Sequence, residues 1–168
     1  MIDHGRILLN ASDGAHILQE RGQFGTLLSD GRLQLSVFEA MYLLDQEKIF
    51  LFSTRGRTYT PANLLRAAPS GRHFWTKYAV YKDLRDRGYV VKTALKFGAD
   101  FRVYDRGTKV GQTHAKWAVF AVQEHDLSTW EQFSGKNRVA HSTKKRLLIG
   151  IVDDDLDVCY WEARWLRP

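Results

Sequence analysis

The stretch HFWTKYAVYKDLRDRGY, residues 73–89, constrains the fold of this chain more than any other. Phe74, Tyr78, Tyr81 and Leu84/Arg85 recur at helical spacing. Gly88 is placed to end that helix, because glycine enters the left-handed backbone region without a Cβ clash. Extended segments follow at 89–93, 101–104 and 114–122. Ser128 and Glu131 have the spacing of a capping box and predict a second helix near 128–137. Residues 145–152 and 157–165 then read as two closing strands, with Asp153, Asp154 and Asp155 in the turn. Helix, strands, helix, strands in that order predicts an α+β domain built on one mixed sheet.

The first half has its own signals. GRILLN reads as a strand, and TLLSDGRLQLS as a hairpin turning at Ser29-Asp30-Gly31. Ser36 and Glu39 form an S-x-x-E box before a helix whose apolar face is Val37, Ala40, Met41 and Leu44. IFLFS, residues 49–53, reads as a short buried strand. Thr60-Pro61 is an N-cap followed by proline at the first helical position. No grouping here looks chemical, so packing and assembly are its expected tasks. Pro69-Ser70-Gly71 is the best linker candidate. The expected organisation is a small N-terminal α/β domain at 1–70 and a C-terminal mixed-sheet, nuclease-like α/β domain at 71–168.

Charge divides at the same place. Residues 1–75 carry eight Lys/Arg and seven Asp/Glu, whereas residues 76–168 carry seventeen and twelve. A basic second half suits a polyanionic partner. No run of eighteen apolar residues exists to span a bilayer, and the N-terminal residues do not have the pattern of a signal peptide. The single cysteine, Cys159, fits a reducing compartment and reads as a small buried residue in a strand. A cytoplasmic location is therefore expected.

The chemistry centres on FGADFRVYDRGTKVGQTHAKW, residues 97–117, and on the later HSTKKR. Tyr104 and His114 are ten positions apart across a Gly-rich turn, and Lys144, Lys145 and Arg146 form a cationic cluster. Histidine exchanges protons near neutrality, with an ordinary pKa of about 6.5. Tyrosine is a poor base unless a neighbouring cation favours its phenolate. RNA carries its own nucleophile, the 2′-hydroxyl. One group must take the hydroxyl proton, another must protonate the departing 5′-oxygen, and a fixed cation must stabilise the charge that builds on phosphorus. Such chemistry needs no metal and no cofactor, and the histidines His4, His16, His73, His125 and His141 show no ligand spacing with cysteine or with one another. The rival is Asp100 as the carboxylate of a metal-dependent nuclease.

The pieces LRDRGYVVKTALKFGADFRVYDRG, THAKWAV, RVAHSTKKRLL and DVCYWEARWLRP, in that order and spacing, resemble the catalytic domain of archaeal tRNA-splicing endonucleases. LQLSVFEAMYLL extends the resemblance more weakly into the first half. The resemblance implies Tyr104 as general base, His114 as general acid and Lys145 as transition-state cation, with Lys144 the competitor for the last role. It implies a precursor tRNA folded as a bulge–helix–bulge, cut once in each bulge to leave 2′,3′-cyclic phosphate and 5′-hydroxyl ends. Arg138 matches the family's base-clamping arginine, and Arg164 and Trp161 are candidates for the second jaw. The family's acidic assembly loop falls on residues 123–129, with Glu124 and Asp126, and its last strands pair between subunits. A homotetramer, or a heterotetramer with a structural subunit, is implied. The rival within the family is a non-catalytic RNA-binding subunit.

Overall fold

In the computed structural model, residues 2–3, 6–53, 56–67, 73–95 and 98–166 are described. The chain forms two compact units, Met1–Arg72 and His73–Pro168. The expected linker at 69–71 lies outside the described residues.

The first unit holds an antiparallel sheet of β1 (Ile2–Asp3), β2 (Arg6–Leu9), β3 (Thr26–Leu27) and β4 (Leu33–Leu35), in the order β1-β2-β4-β3. The hairpin forms at the anticipated turn, with Leu27 opposite Leu33. A helix that the sequence analysis did not find, α1 (Asp13–Glu20), starts at Ser12, whose Oγ accepts from the Ala15 N–H. Helix α2 (Val37–Asp45) carries the complete Ser36/Glu39 capping box. Of the expected face, Ala40 and Met41 are buried and Val37 and Leu44 are half-buried, while Glu39, Tyr42 and Leu43 are buried as well. Glu39 can be buried because its carboxylate is satisfied: its Oε2 accepts from the Ser36 N–H and Oγ–H, and its Oε1 accepts from Gly25 N–H at 2.8 Å. Gly25 permits this approach. Its φ is +62°, and a Cβ there would sit 2.6 Å from the Gln34 carbonyl oxygen.

IFLFS is not a strand. Ile49 and Leu51 are buried, while Phe50 and Phe52 are exposed, and among the described residues the segment makes one bridge, Phe52 to Thr58, flanked by the Tyr59 N–H donating to the Leu51 carbonyl and the Ser53 N–H to the Arg57 carbonyl. Alternation is present, but among the described residues the pairing does not extend beyond that one turn of chain, so the apolar run does not become a strand of the sheet. Helix α3 (Pro61–Ala67) begins where Thr60-Pro61 placed it, with Thr60 Oγ1 accepting from the Asn63 N–H.

The second unit has a five-stranded sheet: β5 (Val90–Thr93), β6 (Phe101–Tyr104), β7 (Trp117–Gln123), β8 (Arg146–Val152) and β9 (Val158–Ala163), in sequential order. Only β7 and β8 run parallel. Parallel neighbours need a crossover, and α5 (Trp130–Ser142) supplies it. Helix α4 (Phe74–Asp86) packs on the opposite face. Gly150 makes its approach possible, since a Cβ there would meet Val80 Cγ2 at 2.8 Å. On the α5 face, Ala118, Phe120 and Leu147 pack with Ala140 and the partly buried Phe133 and Val139.

Helix α5 starts one residue later than the Ser128/Glu131 box would set it. Thr129 is the N-cap and pairs reciprocally with Gln132, the same device with different residues. Cys159 is exposed, not buried, because β9 is the edge strand and leaves residues 159, 161 and 162 uncovered.

Candidate active site

Three strand ends set the geometry. Tyr104 is the last residue of β6, Lys116 immediately precedes β7, and Lys145 immediately precedes β8. Antiparallel pairing sets Val103 opposite Trp117, and the Lys116 N–H donates to the Val103 carbonyl at 2.8 Å. Parallel pairing sets Trp117 opposite Arg146, and the Arg146 N–H donates to the Lys116 carbonyl at 3.0 Å. The end of β6 and the starts of β7 and β8 therefore share one edge of the sheet. Neighbouring strands are about 4.8 Å apart, so Tyr104 and Lys145 lie roughly two strand spacings from each other.

His114 was expected inside a strand. The strand begins only at Trp117, and His114 is exposed in the loop leading to it. Ala115, its neighbour, is buried against Tyr104 and Val90, with Val110 beside them. That contact holds the loop close to the Tyr104 ring and leaves the imidazole facing outward. Tyr104 itself is only 4 % exposed. Its hydroxyl makes no hydrogen bond to a described residue, and Tyr104, His114 and Lys145 do not hydrogen-bond one another.

The two lysines are in different settings. Helix α5 ends in a Schellman motif: the Lys145 N–H returns to the Ala140 carbonyl and the Lys144 N–H to His141. Lys144 occupies the left-handed position, with φ of 54° and its side chain exposed. Lys145 is half-buried and donates from Nζ to the Thr143 carbonyl at 2.8 Å. Burial, and secondarily the Arg102 guanidinium, hold its pKa below the usual lysine value.

Two features of this edge escaped the sequence analysis. Arg102 lies on β6 two residues before Tyr104, and its guanidinium carbon is 6.0 Å from the Tyr104 ring centroid. The signal for it was the period of two, which puts 102 and 104 on one face. Lys116 Nζ reaches Asp105 Oδ1 and lies 4.3 Å from the Trp117 ring centroid.

Arg138 is exposed on α5, one turn before His141. The His141 and Trp165 rings meet edge-on, with centroids 4.5 Å apart, so the chain after β9 returns to the last turn of α5. The aromatic ring brought to this helix end is thus Trp165, which the sequence analysis did not select. Arg164 turns to Glu162, Nε to Oε1 at 2.7 Å, and Trp161 stands 67 % exposed on β9.

Asp100 is fully engaged. Its Oδ1 is 2.6 Å from Lys77 Nζ, and its Oδ2 accepts from the Ala121 N–H. The residue ties α4 to the sheet, and this is a sufficient reason for a carboxylate there.

The acidic loop is at the other end of β7 and β8. Glu124 and Asp126 are exposed, and Leu127 is 98 % exposed. His125 Nε2 lies 3.2 Å from Asp154 Oδ2 and 3.7 Å from Glu124 Oε1, so the loop meets the Asp153–155 turn. The hydrogen bond to Asp154, then the charges of Asp154 and Glu124, raise the His125 pKa above its ordinary value. The sequence reading counted two acids here; folding brings the aspartate turn beside them.

The two ends of one sheet thus carry opposite charge, with an exposed imidazole, a buried phenol ring and a partly desolvated ammonium at the basic end. Comparison with known proteins gives the family. A family model described as the tRNA intron endonuclease catalytic C-terminal domain matches residues 74–160. A second, the tRNA intron endonuclease N-terminal domain, matches residues 2–65. The chain is 38 % identical over 162 residues to a tRNA-splicing endonuclease of Methanothermobacter thermautotrophicus, covering 96 % of this chain and 94 % of that protein. It is 37 % identical over 151 residues to one of Nanoarchaeum equitans, covering 86 % and 97 %. It is 38 % identical over 158 residues to one of Thermococcus gammatolerans, covering 94 % and 90 %. With both domains matched along one chain, the protein belongs to the tRNA intron endonuclease family.

Proposed function

We propose that this chain is a catalytic subunit that excises introns from precursor tRNA by cutting bulge–helix–bulge RNA without a metal. The observation that supports the reading is the shared sheet edge: backbone pairing sets the end of β6 and the starts of β7 and β8 side by side, and Ala115, next to His114, packs against Tyr104. Tyr104 takes the proton of the 2′-hydroxyl, whose oxygen attacks the adjacent phosphorus. His114, exposed to substrate, gives its proton to the departing 5′-oxygen. Lys145, already partly desolvated, offsets the charge on the phosphorane-like transition state. The products are a 2′,3′-cyclic phosphate and a 5′-hydroxyl. Arg138 takes a bulge base by cation–π contact, with Arg164 or Trp161 as the second jaw.

Two cuts at fixed spacing require two such sites in one assembly. The edge strand β9 offers an unpaired side for joining to another subunit. The loop bearing Glu124 and Asp126 suits a basic pocket on a neighbour, and its acidic character is reinforced by Asp154. A homotetramer or a heterotetramer meets the requirement, and native mass of the purified chain decides between them.

The test is cleavage of a bulge–helix–bulge RNA under single-turnover conditions with excess EDTA. The wild-type chain should cut both bulges, and its products should carry cyclic phosphate. His114→Ala should slow the cut by roughly 10²–10⁴-fold with RNA affinity retained. Loss of cleavage in EDTA, or an unchanged rate for His114→Ala, defeats the reading.

A further inference from the structure

We infer that Arg106, seated on the Tyr89 ring, binds a phosphate of the RNA strand beside the scissile one, on the sheet face away from Tyr104. The inference rests on the proposed cleavage reading and adds a substrate-binding residue to it.

The seat is built by the end of α4. Gly88, with φ of 86°, follows the helix C-cap, and the Tyr89 N–H returns to the Leu84 carbonyl at 3.0 Å. The Tyr89 carbonyl accepts from an Arg85 guanidinium N–H at 3.2 Å, so both backbone groups of Tyr89 are fixed. Its ring meets Trp117 edge-on, with centroids 5.5 Å apart, and the Trp117 Nε1–H is held by Glu162. Arg106 completes the stack from the loop after β6. Its stem passes over Gly88, where a Cβ would come within 3.8 Å of its Cγ and Cδ, and its guanidinium carbon is 5.0 Å from the Tyr89 centroid.

Strand register fixes the face. Val90 pairs with Tyr104, and Val103 with Trp117. Paired residues share a face, and successive residues alternate. Trp117, with Tyr89 against it, therefore lies on the opposite face from Tyr104. Arg106 is two residues past Tyr104, at the same end of the sheet. An RNA strand with its scissile phosphate at Tyr104 that crosses this end brings a flanking phosphate to Arg106.

Charge sets Arg106 apart from the cations beside it. Lys116 is engaged by Asp105, and Arg146 and Arg164 by Glu162. Arg106 is exposed, and among the described residues no carboxylate pairs with it. A guanidinium held by a ring keeps its planar fork of donors for an anion. A phosphodiester offers two non-bridging oxygens to that fork. The contact is made alike before and during the cut, so it contributes affinity rather than rate. A cation at the C-terminus of α4 also suits the helix dipole, and the experiment separates the two roles.

The experiment uses the full chain and a bulge–helix–bulge RNA made uncleavable by 2′-deoxy sugars at the cuts. Single phosphates around each cut are replaced in turn by neutral methylphosphonates. Wild type should lose affinity by roughly 10–100-fold at one flanking phosphate. Arg106→Gln should show that loss already on unmodified RNA, and no further loss from that methylphosphonate. Its slope of log affinity against log salt should fall by about one contact. Arg106→Lys should keep the slope and part of the affinity, because charge returns without the fork. On saturating, cleavable RNA, the Arg106→Gln rate should stay within about threefold of wild type. A residue that only caps α4 would lower the melting temperature and leave every methylphosphonate loss in place. Wild type alone supplies a check that no variant's folding can disturb. Its Arg106 Nε–H resonance should shift on binding unmodified RNA, and the shift should vanish with RNA neutralised at the sensitive phosphate. Four results overturn the inference: no sensitive flanking phosphate in wild type, every methylphosphonate loss retained in Arg106→Gln, the scissile phosphate as the position that stops mattering, or an unmoved resonance. If wild type fails to cut all-ribose RNA, or His114→Ala cuts as fast, the cleavage reading fails instead; the Arg106 contact is read from RNA that is never cut.

Discussion

Lys116 Nζ stands 3.0 Å from Asp105 Oδ1, joining the residue after Tyr104 to the residue two after His114. The ion pair closes the neck of the loop that presents the imidazole, beside the backbone bond from Lys116 to Val103. Both side chains are partly exposed, so the pair should contribute under about 1 kcal/mol to stability. Its effect on positioning should be larger. Asp105→Asn should cost little in thermal melting yet slow cleavage by about 10–100-fold, with RNA affinity kept. Parallel melting and single-turnover measurements decide it; a rate at the wild-type level means the neck is held by the backbone alone.

The end of α5 separates the two candidate lysines by experiment. Lys144 adopts φ of 54° at the position where a Schellman motif favours glycine. A side chain in that region costs roughly 1–2 kcal/mol. Lys144→Gly should therefore stabilise the chain by about 1 kcal/mol in urea unfolding and leave cleavage intact. Lys145→Ala should lower the cleavage rate by roughly 10²–10³-fold. Equal losses in the two variants would mean that the cation has been assigned to the wrong residue.

Much of this was readable from residue order, for definite reasons. Gly88, Ser36/Glu39 and Thr60-Pro61 are local devices whose chemistry acts within a few residues, and each element lies where its device put it. Other features depend on partners distant in sequence. Whether IFLFS forms a strand depends on a neighbour to pair with, and among the described residues its partners are confined to 57–59, with one bridge at Thr58. Cys159 looked buried because a lone cysteine in a strand behaves as a small apolar residue, but strand order makes β9 an edge. Helix α1 was missed because its cap, Ser12, is followed by Asp13-Gly14, which reads as a turn. At the candidate site, Tyr104, His114 and Lys145 are the residues that the resemblance to the family's motifs proposes. The register that places Arg102 and Lys116 among them was not legible, because pairing across β6, β7 and β8 spans more than forty residues.

Glu39 predicts a local weakness in the first unit. Its carboxylate accepts from Gly25 N–H, Ser36 N–H and Ser36 Oγ–H, and the residue is 4 % exposed. Glu39→Ala leaves two backbone donors without their acceptor and should cost about 2–4 kcal/mol. Glu39→Gln should cost nearly as much, because an amide turns its own N–H group toward one set of donors. Hydrogen exchange reads the effect in the right unit: amides of α2 and of residues 25–27 should exchange faster, while those of β7 and β8 should not change. Uniform acceleration through both units would contradict a local role.

Glu162 gives the pH prediction. Its Oε2 accepts from Trp117 Nε1–H at 2.7 Å, and its Oε1 meets Arg164 and Arg146. The Trp117 hydrogen bond first, then the Arg164 hydrogen bond and the arginine charges, hold its pKa below the ordinary glutamate value. A carboxylate with a lowered folded-state pKa stabilises the fold above its unfolded pKa, about 4.3. That contribution is lost as pH falls through the folded value. The bond spans from β7 across β8 to β9, so acid should loosen the edge strand first. Glu162→Gln keeps an acceptor for Trp117 but has no charge to lose. It should be less stable than wild type at pH 7, and the difference should shrink as pH falls below about 4. Amide exchange along β9 at pH 7 and at pH 3.5 checks this, after correction for the intrinsic rate. If the gap between variant and wild type is the same at both values, the carboxylate of Glu162 is not what fastens β9 to the sheet.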